Sequence, residues 1–372
     1  METKEKRFEA DIEQYLLTEG GYEKATMDGY DKKRAINMSV LIEFIEKTQP
    51  KVWKKYQALY GAESEAQLYK IFQKNVADFG LIHVLRNGVK DKGLEIRFVY
   101  FAPASDLNDD LVEKYRSNIL TETRQFFYSD EIKNSIDMVL SVNGIPVVAL
   151  ELKNQFTNQS VLNAKHQWKF DRDPKELLFN FNSRILLYFC VDLYEAWMTT
   201  HLQGEKTYFL PFNQGSNGAG NIGDGGNPAN PDGYSTSYLW ERVLQRDMLL
   251  SLLQRYISRQ EPTEISLQKG KQVKKTSVKL ISPRYHQLDV VEKLVNTTKN
   301  LTEGRSFLIQ HSAGSGKSNS IAWLTYRLAS LHNDNNKELF QTVFVITDRR
   351  VLNRQLQDTI CGFDHKIGQI ET

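Results

Sequence analysis

Apolar residues at helical spacing open the chain. Phe8, Ile12, Tyr15 and Leu16 recur across residues 5–19 and predict an amphipathic helix, which Gly20-Gly21 ends. The same periodicity predicts helices over 35–48 and 64–79, the first carrying Val40, Leu41, Phe44 and Ile45. From Leu94 to Phe101 the pattern becomes strand-like; 106–118 reads as a helix and Thr123–Tyr128 as a strand. Two apolar runs, 136–142 and 145–152, flank Asn143-Gly144, the dipeptide that most strongly favours a hairpin. Ile185–Val191 predicts a further strand, with 194–200 as its continuation or partner.

The pattern then breaks. Residues 213–233 hold seven glycines and five asparagines with Pro228 and Pro231, a mixture expected to form a long flexible loop. A helix is predicted over 238–258. The basic stretch Lys269–Lys275 lacks apolar periodicity and marks 261–282 as an inter-domain linker. Beyond Pro283 the order is helix (285–299), strand (306–310), helix (317–331), strand (342–347), helix (350–360), the alternation of a parallel α/β sheet. The expected organisation is one domain over 1–260, the linker, and the first part of a second domain over 283–372. The fold class is α/β.

At 372 residues, 40% hydrophobic and 25% charged, the chain has the composition of a water-soluble globular protein. No apolar run reaches the ~20 residues of a membrane span, and no signal-peptide core follows Met1, so a cytoplasmic protein is expected. Cys190 and Cys361 read as buried free thiols. A net charge of +2 neither demands nor excludes nucleic acid. The seven histidines show no metal-ligand spacing, and no nucleophile motif accompanies them.

Two groups of residues carry phosphate chemistry. Asp137, Glu151 and Lys153 supply two carboxylates able to hold Mg²⁺ through hard oxygens, and a lysine able to orient water or offset charge on a phosphate. Strand parity sets a condition on them. A strict two-residue turn at Asn143-Gly144 places Asp137 opposite Leu150, with Glu151 facing away, so a shared site requires an odd loop or a bulge. A three-residue loop, Val142-Asn143-Gly144 with Gly144 left-handed, is the expected solution. The second group is Gly314-Ser315-Gly316-Lys317-Ser318 after the apolar run 306–310, a glycine-rich turn whose backbone amides, lysine and hydroxyl suit Mg-ATP. His311 stands where the general pattern has glycine.

Ile136-Asp137 … Glu151-Leu152-Lys153-Asn154 resembles the PD-(D/E)xK nuclease motif. With Phe8-Glu9 … Gly20-Gly21-Tyr22 it is similar to the amino-terminal domain of the restriction (motor) subunit of type I restriction–modification enzymes. The resemblance implies a restriction-endonuclease-like domain followed by the start of a RecA-like, superfamily 2 helicase domain. It makes Glu9, or else Glu13, a further acid near the metal, and Gln167 the counterpart of a glutamine–tyrosine box in which Asp171 replaces the tyrosine. Arg284-Tyr285-His286-Gln287 resembles a helicase Q-motif, with Gln287 reading adenine; Val343–Arg350 with Leu352 … Gln355-Leu356 is similar to motif Ia, with Arg349 and Arg350 on the DNA backbone. Double-stranded DNA, methyltransferase and specificity subunits, Mg²⁺ and Mg-ATP are the implied partners and cofactors. The activity implied is ATP-dependent endonuclease cleavage remote from the recognition site. No Asp-Glu box follows Ser318, so the chain reads as truncated and unable to translocate. Another ATP-coupled nuclease (RecB-like or type III) and a non-catalytic DNA-binding or assembly module are the alternatives.

Overall fold

The computed structural model describes residues 4–129, 134–154, 159–261, 263–268, 271–348, 356–357 and 359–361, with side chains described over most of that range. The chain divides into two compact units, Met1–Ala102 with Asp109–Leu253, and Pro103–Asn108 with Gln254–Thr372.

Helix α1 (Lys4–Thr18) opens the first unit and buries Phe8, Ile12 and Leu16 completely. Strand β1 (Glu23–Lys24) follows. Helix α2 begins at Met38 rather than at 35, because the Asn37 side chain caps it by accepting from Val40 N. Proline at the first turn then starts α3 (Pro50–Tyr60), which the apolar pattern did not single out. Helix α4 (Ser64–Phe79) occupies its predicted range, and α5 (Leu81–Asn87) follows Gly80. Of the expected strand 94–101 only Leu94–Ile96 pairs, against Val89–Asp91.

After α6 (Asp109–Arg116), the chain forms β2 (Leu120–Phe127), β3 (Ser135–Val142) and β4 (Ile145–Leu152). Helix α7 (Val161–His166) leads on to β5 (Leu187–Val191), β6 (Ala196–Thr199) and β7 (Leu210–Pro211). The seven strands lie side by side in chain order. β1–β2 and β4–β5 are parallel and the other neighbours antiparallel, so the sheet is mixed. All eight residues of β4 are buried, as befits a strand at the middle of a covered sheet. On the face that carries Ala149, Tyr188 and Cys190, the sheet packs against Trp168 and Phe179.

The hairpin differs from its expected form in an instructive way. Asn143 (φ 51°) and Gly144 (φ 79°) are both left-handed, which makes a two-residue turn and not the three-residue loop. The missing residue enters inside the strand instead. Ser141 pairs with Pro146 but Leu140 pairs with Val148, so Val147 is an extra residue, a β-bulge. Pro146 explains the position: it has no N–H for the ladder, and a bulge is where an inner strand tolerates that loss.

Residues 213–233 contain no helix or strand, but they are cross-linked. Gly215 N donates to Gly226 O at 2.7 Å and Gln214 N to Asn227 Oδ1 at 2.8 Å. The predicted helix 238–258 is broken by extended Gln245, leaving a wide five-residue turn (Leu239–Val243), α8 (Arg246–Ser251) and a second wide turn (Leu252–Tyr256).

In the second unit, Ser258–Gln260 pairs with Lys279–Ile281, and Thr263–Gln268 with Lys271–Thr276, so residues 271–275 of the basic stretch are part of a β-ladder. Helices α9 (Tyr285–Lys299) and α10 (Lys317–Ala329) match their predicted starts. The parallel strands expected at 306–310 and 342–347 are absent among the described residues. Both runs lack strand pairing, and Leu308, Phe344 and Ile346 are more than four-fifths exposed. Strand-type composition supplies propensity; a parallel strand also needs neighbours and cover on both faces. Of the predicted helix 350–360 only 356–357 and 359–360 are described, both helical. Cys190 is a buried thiol as expected, whereas Cys361 is exposed.

Candidate nuclease centre and phosphate loop

The bulge at Val147 decides what faces what. Downstream of it Met138 pairs with Leu150, so the same register, carried one residue further, sets Asp137 across from Glu151. Residues directly opposite in an antiparallel pair share a face, and Lys153, two residues beyond Glu151, shares it too. The side chains converge accordingly. Lys153 Nζ lies 3.3 Å from Asp137 Oδ2 and 4.0 Å from Glu151 Oε2. Asp137 Oδ2 also accepts from Leu152 N at 2.7 Å, which fixes the carboxylate over the end of β4.

Glu151 is fully buried, and its burial is only partly compensated. Oε1 accepts from Arg172 at 2.6 Å, while Oε2 is buried with no hydrogen-bond partner. Desolvation, reinforced by the charge of Asp137, pushes its carboxyl up to about 8, against the opposing pull of Arg172 and Lys153. An orphaned, buried carboxylate oxygen beside a second carboxylate is the donor set a hard divalent cation satisfies. Mg²⁺ commonly takes one or two protein carboxylates and completes its shell with water and phosphate. The pair Asp137 and Glu151 therefore fits the ion. Among the described residues no group of three or more His, Cys, Asp or Glu side chains is arranged to hold a metal.

Glu9 stands behind this pair. It is buried on α1, and burial, followed by the charge of Asp137, raises its carboxyl above the usual range. Its Oε2 accepts from Arg124 Nη2 at 3.0 Å and from Gln125 Nε2 at 3.3 Å. Glu13, the alternative, is held by Arg124 Nη1 at 3.0 Å and by Lys24 at 2.7 Å. Of the two, Glu9 is the one electrostatically coupled to Asp137. Gln167 begins a wide helical turn (Gln167–Asp171) after α7, and its amide oxygen is buried without a partner. No hydrogen bond among the described residues joins it to the carboxylates.

Sequence reasoning missed Arg172 and Gln125. Arg172 follows no motif; the available signal was the need of a buried glutamate for a counter-charge. Gln125 has φ 47°, an outlier for a residue within a strand, and Ser135 Oγ donates to its Oε1 at 2.8 Å.

In the second unit, Gly314 (φ 75°) and Gly316 (φ 84°) turn the chain into α10, with Gly316 as its left-handed cap. Gln287 is buried, with both ends of its amide engaged. Its Oε1 accepts from Arg284 N at 2.9 Å and its Nε2 donates to Gly316 O at 2.9 Å. A Cβ at position 316 would meet that Nε2 at 2.5 Å and displace the end of the Gln287 side chain, while the φ of 84° favours glycine. His286 Nε2 lies 3.1 Å from Ser315 O, and His311 Nδ1 lies 3.3 Å from Ser315 Oγ. The histidine at the glycine position thus braces the loop through Ser315. Lys317 is exposed at the first turn of α10, beside half-buried Ser318. Arg349 and Arg350 lie outside the described residues.

Comparison with known proteins agrees with both regions. The family model for the type I restriction enzyme R protein N terminus matches residues 7–207, and the model for the SWI2/SNF2 ATPase matches 286–372. A protein of Methanocaldococcus jannaschii, named as the endonuclease subunit of the type I restriction enzyme MjaVIIIP, is 26% identical over 259 residues. That alignment covers 66% of this chain but 22% of the relative, so the chain spans about a fifth of the relative's length. No helix among the described residues is long and apolar enough to cross a membrane. With its family model spanning more than half the sequence, the chain belongs to the family of type I restriction enzyme R proteins, as an amino-terminal region.

Proposed function

We propose that the first unit is a PD-(D/E)xK-type, Mg²⁺-dependent DNA endonuclease centre and that 283–372 opens an ATP-binding, RecA-like motor lobe. The observation that carries this reading is the convergence of Asp137, Glu151 and Lys153 from two strands whose register the Val147 bulge corrects. Asp137 and Glu151 would hold the cation, with Glu9 adding negative charge behind Asp137. When bound, the ion would polarise the attacking water and the scissile phosphate. Lys153 has its ammonium between the two carboxylates; there it can orient the water and offset charge growing on the phosphate oxygens. Groups that act on the metal and the phosphate address the backbone and not the bases, which suits cleavage without sequence choice.

Lys317 and Ser318, at the amino end of α10, would take the phosphates and Mg²⁺ of ATP on a loop tied to α9 by Gln287. In this reading the amide of Gln287 serves adenine only if it leaves Gly316. The partners proposed are double-stranded DNA and the methyltransferase and specificity subunits of a type I enzyme. The complete assembly would translocate DNA and cut far from its recognition site.

The test is nicking of supercoiled plasmid with Mg²⁺ or Mn²⁺. Metal-dependent nicking by the wild-type chain, abolished in Asp137→Ala and in Lys153→Ala, supports a nuclease. DNA binding without cleavage under every metal condition, including with the partner subunits added, favours an assembly module instead.

A further inference from the structure

We infer that Arg172 is a positioning residue of the carboxylate centre, a staple that fixes both acid-bearing strands; the inference rests on the nuclease reading above. One guanidinium nitrogen, Nη2, donates to Glu151 Oε1 on β4 at 2.6 Å and to Ser135 O on β3 at 2.7 Å. Ser135 lies two residues before Asp137 on the same strand. The two strands whose carboxylates must meet are therefore tied together at the level where they meet.

The staple is itself immobilised. Arg172 is 4% exposed, leaves the 167–171 turn in an extended conformation, and stacks over the rings of Tyr128 (5.5 Å) and Trp168 (5.9 Å). Trp168 is anchored in turn by donating its indole N–H to Phe189 O on β5. By taking Oε1, Arg172 leaves Oε2 as the oxygen on the side of Lys153 and Asp137, where a cation would sit. Both bonds come from the one nitrogen, which the planar guanidinium holds in place by lying over two rings; the flexible point charge of lysine lacks that fixed plane.

The same row of contacts continues. Ser135 Oγ donates to Gln125 Oε1 at 2.8 Å, and Gln125 Nε2 donates to Glu9 Oε2 at 3.3 Å. Arg172 thus anchors one end of a polar belt that includes Glu151 and, through Ser135 and Gln125, Glu9. Removing a positive charge would by itself favour a cation. That gain is outweighed because the buried Glu151 would lose its principal ion-pair partner and its fixed geometry.

The experiment is calorimetric titration of Mn²⁺ alone into the 372-residue chain, for wild type, Asp137→Asn, Arg172→Met and Arg172→Lys, with circular dichroism of each. Saturable Mn²⁺ binding by wild type, lost in Asp137→Asn, upholds the centre. Arg172→Met is then expected to weaken Mn²⁺ about tenfold or more, and Arg172→Lys to fall between the two. A natively folded Arg172→Met that binds Mn²⁺ as wild type does overturns the role of Arg172 and leaves the nuclease reading standing. If Arg172→Met does not fold, Arg172→Lys decides: weakened binding supports the staple, and wild-type affinity refutes it. Absence of Mn²⁺ binding in wild type removes both readings.

Discussion

Asp137 lies across from Glu151 because β4 carries one more residue than the turn alone would dictate, and that residue is Val147. The turn must stay in place for the bulge to have its effect. Gly144 is pinned there: its φ is 79°, and a Cβ would stand 2.2 Å from Asn37 O. Gly144→Ala should combine left-handed strain with a clash against backbone and lower stability by about 2–4 kcal/mol. Gly93 is the control, with the same φ and open space around it, and Gly93→Ala should cost only about 1–2 kcal/mol. Urea unfolding of the two variants measures the difference; equal losses would mean the turn is not held against Asn37.

Glu122 gives the fold a pH dependence of its own. It is fully buried on β2, and neither carboxylate oxygen has a hydrogen-bond partner. Burial, then the charge of Glu13 with a smaller push from Glu9, raises its carboxyl to about 8, while Arg124 and Lys24 pull the other way. Between its ordinary value near 4.5 and about 8, the folded chain holds a proton that the unfolded chain has lost. Stability from this group is therefore complete below pH 4.5 and declines as pH rises to about 8. Glu122→Gln cannot ionise, so it should raise the melting temperature by about 3–6 °C at pH 9 and change it little at pH 5. A gain of equal size at both values would show that ionisation is not the cause.

The phosphate loop makes a separable prediction. Lys317 is exposed, so Lys317→Ala should leave the melting temperature unchanged while weakening Mg-ATP by about tenfold or more, the loss of a charge-assisted contact. Gly316→Ala should weaken it as well, because a side chain at φ 84° strains the turn that presents Lys317. Fluorescent-nucleotide titration reads both. Wild-type affinity in Lys317→Ala would remove the nucleotide from this loop.

How much of this was legible in the chain varies with the kind of signal. Asn143-Gly144 between two apolar runs located the hairpin, and strand parity showed that one residue had to be gained somewhere. Where it is gained was not read, because every residue from Ile145 to Leu152 is buried and a run without alternation carries no phase. Pro146 was the overlooked sign. Glu151 and Lys153 were legible by type and spacing; Arg172 was not, since its pairing depends on a chain reversal 21 residues later. In the second unit the glycines before α10 were legible because they satisfy a local backbone demand. The runs 306–310 and 342–347 misled because pairing is set by neighbours that a local pattern does not contain.

The central claim is that two carboxylates from neighbouring strands share one divalent cation. Electron paramagnetic resonance of Mn²⁺ counts free against bound ion and tests it without requiring catalysis. One tightly bound Mn²⁺ per wild-type chain is expected, with that ion lost in Asp137→Asn and equally in Glu151→Gln. Undiminished binding in both folded variants would contradict the claim.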